Sequence, residues 1–223
     1  MKLSEIFEHL TVGELSQVFI GGVQGEGITP ENRHHIISHI NLGLGELHKR
    51  FFLKEGRVPL YLIQALDSYT VNAPDLLKVE QVRLPDDSEL RLNDENAQLP
   101  ILNQSWNTLR IPHRAVKTLT EDMKVNQLTV VYRAKHVEIS AREAQREPER
   151  VDVDLPYSYV WPLLLFVASR VMNPMGSAGG ATDYHDGNNY AAKYEQACQE
   201  IEQYGLVLSR DAEEDNFRQK GFV

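Results

Sequence analysis

Reactive sulfur is almost absent from this chain. Its 223 residues include one cysteine, Cys198, so no internal disulfide can form and paired-cysteine zinc spacings are excluded. Cys198 itself reads as a small, partly buried side chain beside the apolar stripe of a helix. Basic charge is also scarce. Lysine and arginine number 23 against 32 acidic side chains, a formal net charge of −9, whereas a general grip on nucleic acid needs clustered cations against phosphates. Long apolar runs are missing too: the longest, residues 161–168, falls far short of the roughly 20 residues of a membrane span. The opening Met1-Lys2-Leu3-Ser4-Glu5 reaches an acidic residue before any apolar stretch, unlike a secretory signal. A soluble chain made in the cytoplasm, with no membrane partner, is expected.

Catalytic signatures are thin as well. No serine elbow occurs, and the glycine-rich Gly21-Gly22-Val23-Gln24-Gly25-Glu26-Gly27 is not followed by Lys-Ser or Lys-Thr. It therefore reads as a connector, not a phosphate cradle.

What the chain does have is periodicity. Hydrophobic residues make up 42% of it, enough for a sizeable core. Tyr190, Tyr194, Ala197, Ile201 and Tyr204 recur at steps of four and three, the apolar stripe of a helix over 183–206. Residues 156–171 are apolar nearly all round, with Leu163, Leu164 and Val167 at their centre, and a helix there is expected to be buried on most sides. The Pro, Gly, Ser and Asn residues of 173–189 separate the two and make an antiparallel hairpin. A third helix begins earlier in the chain. Thr29 is placed as N-cap, Pro30 at the first helical position and Glu31 in the first turn. Ile36, Ile40, Leu44, Leu47 and Phe51 then run down one side to about residue 52 and cover the hairpin. Gly43 and Gly45 weaken this helix but permit close helix contact.

From residue 57 the period changes to two. Strands are expected at 59–65, 67–71, 77–84, 89–92, 108–112 and 127–134, with Pro85-Asp86-Asp87-Ser88 turning a hairpin. The fold class expected is α+β, a helical bundle with an inserted antiparallel β region. Its divisions are 1–56 for the N-terminal helices, 57–137 for the β region, 138–208 for a charged connector and the helical hairpin, and 209–223 for an extended polar tail. The connector is given a short helical turn at 141–147.

Three groupings carry possible chemistry. His35 and His39, four apart on one helix face with Glu31 a turn earlier, are spaced to share a metal. Ile36 stands where the protease-type pattern needs glutamate, so packed or exposed helix histidines are the plainer reading. Asp152 and Asp154 flank Val153 and read as cap and connector residues. Asp183, His185 and Asp186 sit where a helix N-terminus favours acidic side chains. No cofactor, catalytic residue or metal ligand is assigned.

Three passages together resemble the head-to-tail adaptor, or connector, proteins of tailed bacteriophages, the short-tailed type above all. The first runs from Leu77-Lys78-Val79-Glu80 through Leu90-Arg91-Leu92-Asn93-Asp94-Glu95-Asn96 and Trp106-Asn107-Thr108-Leu109-Arg110-Ile111-Pro112 to Val130-Val131-Tyr132-Arg133-Ala134-Lys135-His136. The second is Val153-Asp154-Leu155-Pro156 leading to Ser169-Arg170-Val171. The third is Gly187-Asn188-Asn189-Tyr190-Ala191-Ala192-Lys193-Tyr194-Glu195, then Gly205-Leu206-Val207, closing on Asn216-Phe217 and Gly221-Phe222-Val223. The likeness spans about residues 30 to 223.

That resemblance implies a structural virion protein without a catalytic site, made in the host cytoplasm and placed at the head-to-tail junction. It implies a homo-oligomeric ring, usually of twelve copies, between the portal protein and the tail tube or nozzle protein. Double-stranded DNA would pass through without sequence-specific binding, and net acidity suits such a conduit because carboxylates repel phosphates. The family's C-terminal extension docks along a neighbouring subunit towards the portal. Mapped onto this chain, Phe217, Phe222 and Val223 would be apolar anchors, Arg218 and Lys220 a polar register, with Asn216 and Gly221 completing the segment. The competing expectation from the residues is a metal-dependent hydrolase using His35 and His39.

Overall fold

The computed structural model describes residues 1–13, 15, 28–172 and 181–206, with 181–188 described by their backbone alone. In chain order the helices and strands are α1 (Leu3–Val12), α2 (Arg33–Arg50), β1 (Glu55–Tyr61), β2 (Ser68–Thr70), β3 (Leu76–Arg83) and β4 (Glu89–Leu90). There follow β5 (Leu102–Ser105), β6 (Thr108–Arg110), α3 (His113–Lys117), β7 (Gln127–Ala134), α4 (Ala141–Arg146), α5 (Val160–Met172) and α6 (Ala181–Gln203). The chain is an α+β protein whose paired strands run antiparallel. It divides into two compact units, one built from Met1–Phe51 with His136–Val223, the other from Phe52–Lys135.

In the first unit α5 is the central element, packing against α1, α2 and α6. Its sequence explains that position, because Leu163, Leu165, Val167 and Ala168 are all but inaccessible to water, and each large apolar side chain so buried contributes about 1.5–3 kcal/mol. The exception is Trp161, expected to be buried with the rest but 52% exposed. α2 lays Ile36, Ile40, Leu44 and Leu47 into this core. Gly43 is what lets it approach: a Cβ there would stand 2.7 Å from Leu163 Cδ1 and 2.9 Å from Phe166 Cδ1. At the far end of α2, Phe51 meets Tyr159 edge to face, 4.9 Å between centroids.

α2 starts later than its sequence suggests. Thr29, Pro30 and Glu31 form a preceding turn in which the Thr29 N–H donates to Asn32 Oδ1 at 2.8 Å, and the helix begins at Arg33. Asn32 competes with Thr29 for the same local role. The helix ends at Arg50, since Phe51 is already extended. α6 instead starts earlier than expected, at Ala181, and runs through Gly187-Asn188-Asn189. Its packing along α5 outweighs the roughly 1 kcal/mol that a helical glycine costs.

The start of the chain is fastened to the connector. Val153 N donates to Met1 O and Leu3 N to Val151 O, at 2.8 and 3.0 Å, while Lys2 Nζ pairs with Asp152 at 2.8 Å. Farther along, Asn41 on α2 imitates a strand partner for Ile139, its amide donating to the backbone O at 3.0 Å and its Oδ1 accepting from the N–H at 2.9 Å.

The second unit holds two sheets where the sequence suggested one, in the orders β1-β7-β3-β4 and β2-β6-β5. They share a core that includes Val82, Ile101, Leu109, Leu128 and Val130. Alternation fixes which face of a strand is apolar but not its partner, so the division into two sheets was invisible in the pattern. β1 is an edge strand, which is why Pro59 is tolerated in it. α3 and the π-helical turn Thr118–Asp122 insert Ala115, Val116 and Leu119 into the same core.

Candidate functional site

A concavity in the first unit lies between α1 and the start of α5. α1 turns Leu3, Ile6, Phe7 and Leu10 inwards, which leaves Glu8, His9 and Val12 on its outer side. Gly13 ends the helix, its N–H bonding His9 O at 2.9 Å. Opposite them stand Tyr157, Val160, Trp161 and Leu164, and together these residues line a groove of about 510 Å³. Its rim is strongly apolar for a surface: Val12 is 77% exposed and Tyr157 85%. Two aromatic rings, two valines and a leucine form the walls, with one carboxylate and one imidazole at the edge. That chemistry suits an apolar peptide segment carrying a cation, and it offers no nucleophile held by a base.

The histidines of α2 do not make a comparable site. The rings of His34 and His35 lie 3.9 Å apart between centroids, tilted by 39°. His39 is pushed below its ordinary value by burial first, then by the nearby His35 and by Arg170 of α5, and its Nδ1 is buried without a hydrogen-bond partner. Glu31 lies in the turn before the helix, not one turn along it. Among the described residues no three His, Cys, Asp or Glu side chains are grouped to hold a metal.

Asp152 is occupied by Lys2, whose ammonium holds its carboxyl below the usual range, and Asp154 is exposed, so the two do not work as a carboxylate pair. The side chains of Asp183, His185 and Asp186 lie outside the described residues. So do the glycine-rich 21–27 stretch and the docking residues Asn216, Phe217, Arg218, Lys220, Gly221, Phe222 and Val223.

Most side chains assigned to the helical core are buried: Ile36, Ile40, Leu44, Leu47, Phe51, Leu163, Leu164, Val167, Tyr194, Ala197 and Ile201. Tyr190 is half-buried, with Lys193 Nζ over its ring at 5.1 Å. Tyr204 requires correction, being 75% exposed. The helix stops at Gln203 and Gly205 adopts φ +65°, which breaks the repeat just before its last expected member. Cys198 is fully buried, and that burial pushes its thiol up, away from reactivity.

The second unit has its own exposed apolar side chains. Trp106 (66%), Tyr61 (64%), Ile63 (53%), Leu66 (44%) and Met123 (43%) stand out. Gln64 ties this end of β1 to the π-helical turn by reaching Thr120 and Glu121. The sequence marks these residues only as apolar; nothing in their spacing distinguishes exposed from buried. Trp161 and Tyr157 were hidden in the same way inside a run that reads as core.

No helix among the described residues is long and apolar enough to cross a membrane. Comparison with protein-family models and with curated proteins gives no match to this chain.

Proposed function

We propose that the chain is a structural virion protein of the head-to-tail adaptor kind. In this reading the helices form a bundle interrupted by the β region and followed by an extended tail. Copies close into a ring, of about twelve by the resemblance, between the portal and the tail tube or nozzle, and DNA leaves through its centre. The chain carries no catalysis, and the His35/His39 hydrolase is the weaker reading because the carboxylate it needs, Glu31, stands off the helix.

The observation that carries the proposal is that each of the two units presents its own exposed apolar set, Val12, Tyr157 and Trp161 on one and Tyr61, Ile63, Leu66 and Met123 on the other. A closed ring repeats one heterologous contact, so every subunit needs two different surfaces to offer its neighbours. Isolated apolar side chains are ordinary on a surface, whereas grouped ones mark contacts. The net charge of −9 fits a passage that phosphates traverse without adhering.

The test is coexpression with the portal protein encoded in the same genome. Copurification of a complex whose mass corresponds to a ring of this chain on the portal supports the reading. A chain that stays separate from the portal under those conditions overturns it.

A further inference from the structure

The α1–α5 groove lies at the same end of α5 from which the chain departs. Tyr159, just before α5, donates its hydroxyl to Leu206 O at 3.2 Å, and Leu206 is the last described residue. Tyr157 and Trp161, two residues to either side of Tyr159, line the groove. Beyond Leu206 the sequence runs through Asp211, Glu213, Glu214 and Asp215 to Asn216-Phe217-Arg218-Gln219-Lys220-Gly221-Phe222-Val223.

We infer that this groove is the seat of the chain's own C-terminal segment, with Phe217, Phe222 and Val223 supplying its apolar occupants. Reach is ample. The stretch from Leu206 to Phe217 can span up to roughly 35 Å when extended, while α5, at 13 residues, is only about 20 Å long. The chemistry also matches. The groove's walls are Val12, Tyr157, Val160, Trp161 and Leu164, and its one carboxylate is Glu8, which Arg218 or Lys220 can face from a segment whose other large side chains are apolar. Tethering raises the effective concentration of the segment at the groove, so a contact that a free peptide makes only in excess is maintained within one molecule. The seat is a property of the single chain and does not depend on the ring. In an assembling ring the segment would leave it to meet a neighbour.

Trp161 provides the readout, since it forms part of the wall and its ring is half-exposed. In a Trp106→Phe background it is the sole tryptophan. Its emission and acrylamide quenching are compared between the full chain and a chain ending at residue 215, each at a series of concentrations with the mass monitored. The inference expects bluer emission and lower quenching in the full chain, unchanged on dilution and present in the monomer. Val12→Glu in the full chain should return the signal to that of the truncated chain. The synthetic peptide Asn216–Val223 added in excess to the truncated chain should restore the blue shift.

Identical spectra for full and truncated chains overturn the inference. Protection that appears only with an increase in mass also overturns it, and assigns the groove to a second copy. An effect of truncation that Val12→Glu fails to reproduce, and the peptide fails to reverse, places the segment elsewhere and overturns it too. None of these outcomes bears on copurification with the portal, so the two readings fail separately.

Discussion

Gly56 and Tyr132 face each other across β1 and β7, and the tyrosine ring occupies the space where a side chain on residue 56 would stand. A Cβ on Gly56 would lie 2.5 Å from Tyr132 Oη. The ring cannot simply swing aside. Its hydroxyl donates to Asp75 at 2.8 Å, and burial together with that carboxylate pushes the phenol up to about 12. Gly56→Ala should therefore destabilise the β unit by about 1–3 kcal/mol, the usual cost of overpacking. Urea unfolding of Gly56→Ala, Tyr132→Ala and the double variant checks this. The double variant should be more stable than the sum of the two losses implies.

The two glycines of α2 should respond in opposite directions. Gly45 has only His136 Cε1 near its absent Cβ, at 3.9 Å, so Gly45→Ala should gain about 0.5–1 kcal/mol from backbone entropy. Gly43 meets Leu163 and Phe166 inside 3 Å. The Phe166 ring is itself held edge-on by Tyr194, 5.4 Å away. There the overpacking cost of about 1–3 kcal/mol exceeds the same entropic gain, and Gly43→Ala should lower the melting temperature. Thermal scans of the two single variants decide the matter.

Arg50 joins the end of α2 to α6 with one guanidinium bonded to two carboxylates, Glu195 at 2.7 Å and Glu202 at 2.9 Å. Both carboxylates are well exposed, so the whole arrangement should stabilise by only about 1 kcal/mol. A lysine cannot reproduce a planar fork between two acids. Arg50→Lys should lose most of what Arg50→Ala loses, and 1 M salt should shrink the difference between wild type and either variant.

His39 gives the helical unit a dependence on pH. Its folded value lies below its ordinary one near 6.5 because of burial, then His35 on the same helix and Arg170 on α5. The unfolded chain then binds this proton more readily than the folded chain. Stability should fall as pH drops through 6.5 towards the folded value. Urea midpoints at pH 7.5 and 5.5 should show a smaller decline for His39→Gln than for wild type. An unchanged decline would show that His39 is not the responsible group.

How far the sequence revealed all this depended on the reach of each signal. β7 falls on the expected 127–134 because Leu128, Val130, Tyr132 and Ala134, every second residue, enter the core of the second unit. β5 was missed: its Leu-Asn-Gln-Ser is exposed almost throughout, so it carries no alternation. α3 was missed because five residues after a proline are too few to display a helical period. The groove was illegible for another reason. Trp161 and Leu164 belong to the same apolar run, and only the placement of α1 separates the half-exposed ring from the buried leucine.

Electron cryomicroscopy of tailed particles carrying this chain is the most direct test of its role. The account expects a closed ring of identical copies between portal and tail, with Tyr61, Ile63, Leu66 or Val12, Tyr157 and Trp161 covered by neighbouring protein. A particle lacking the chain at that junction, or holding it there with all those side chains still in water, would contradict it.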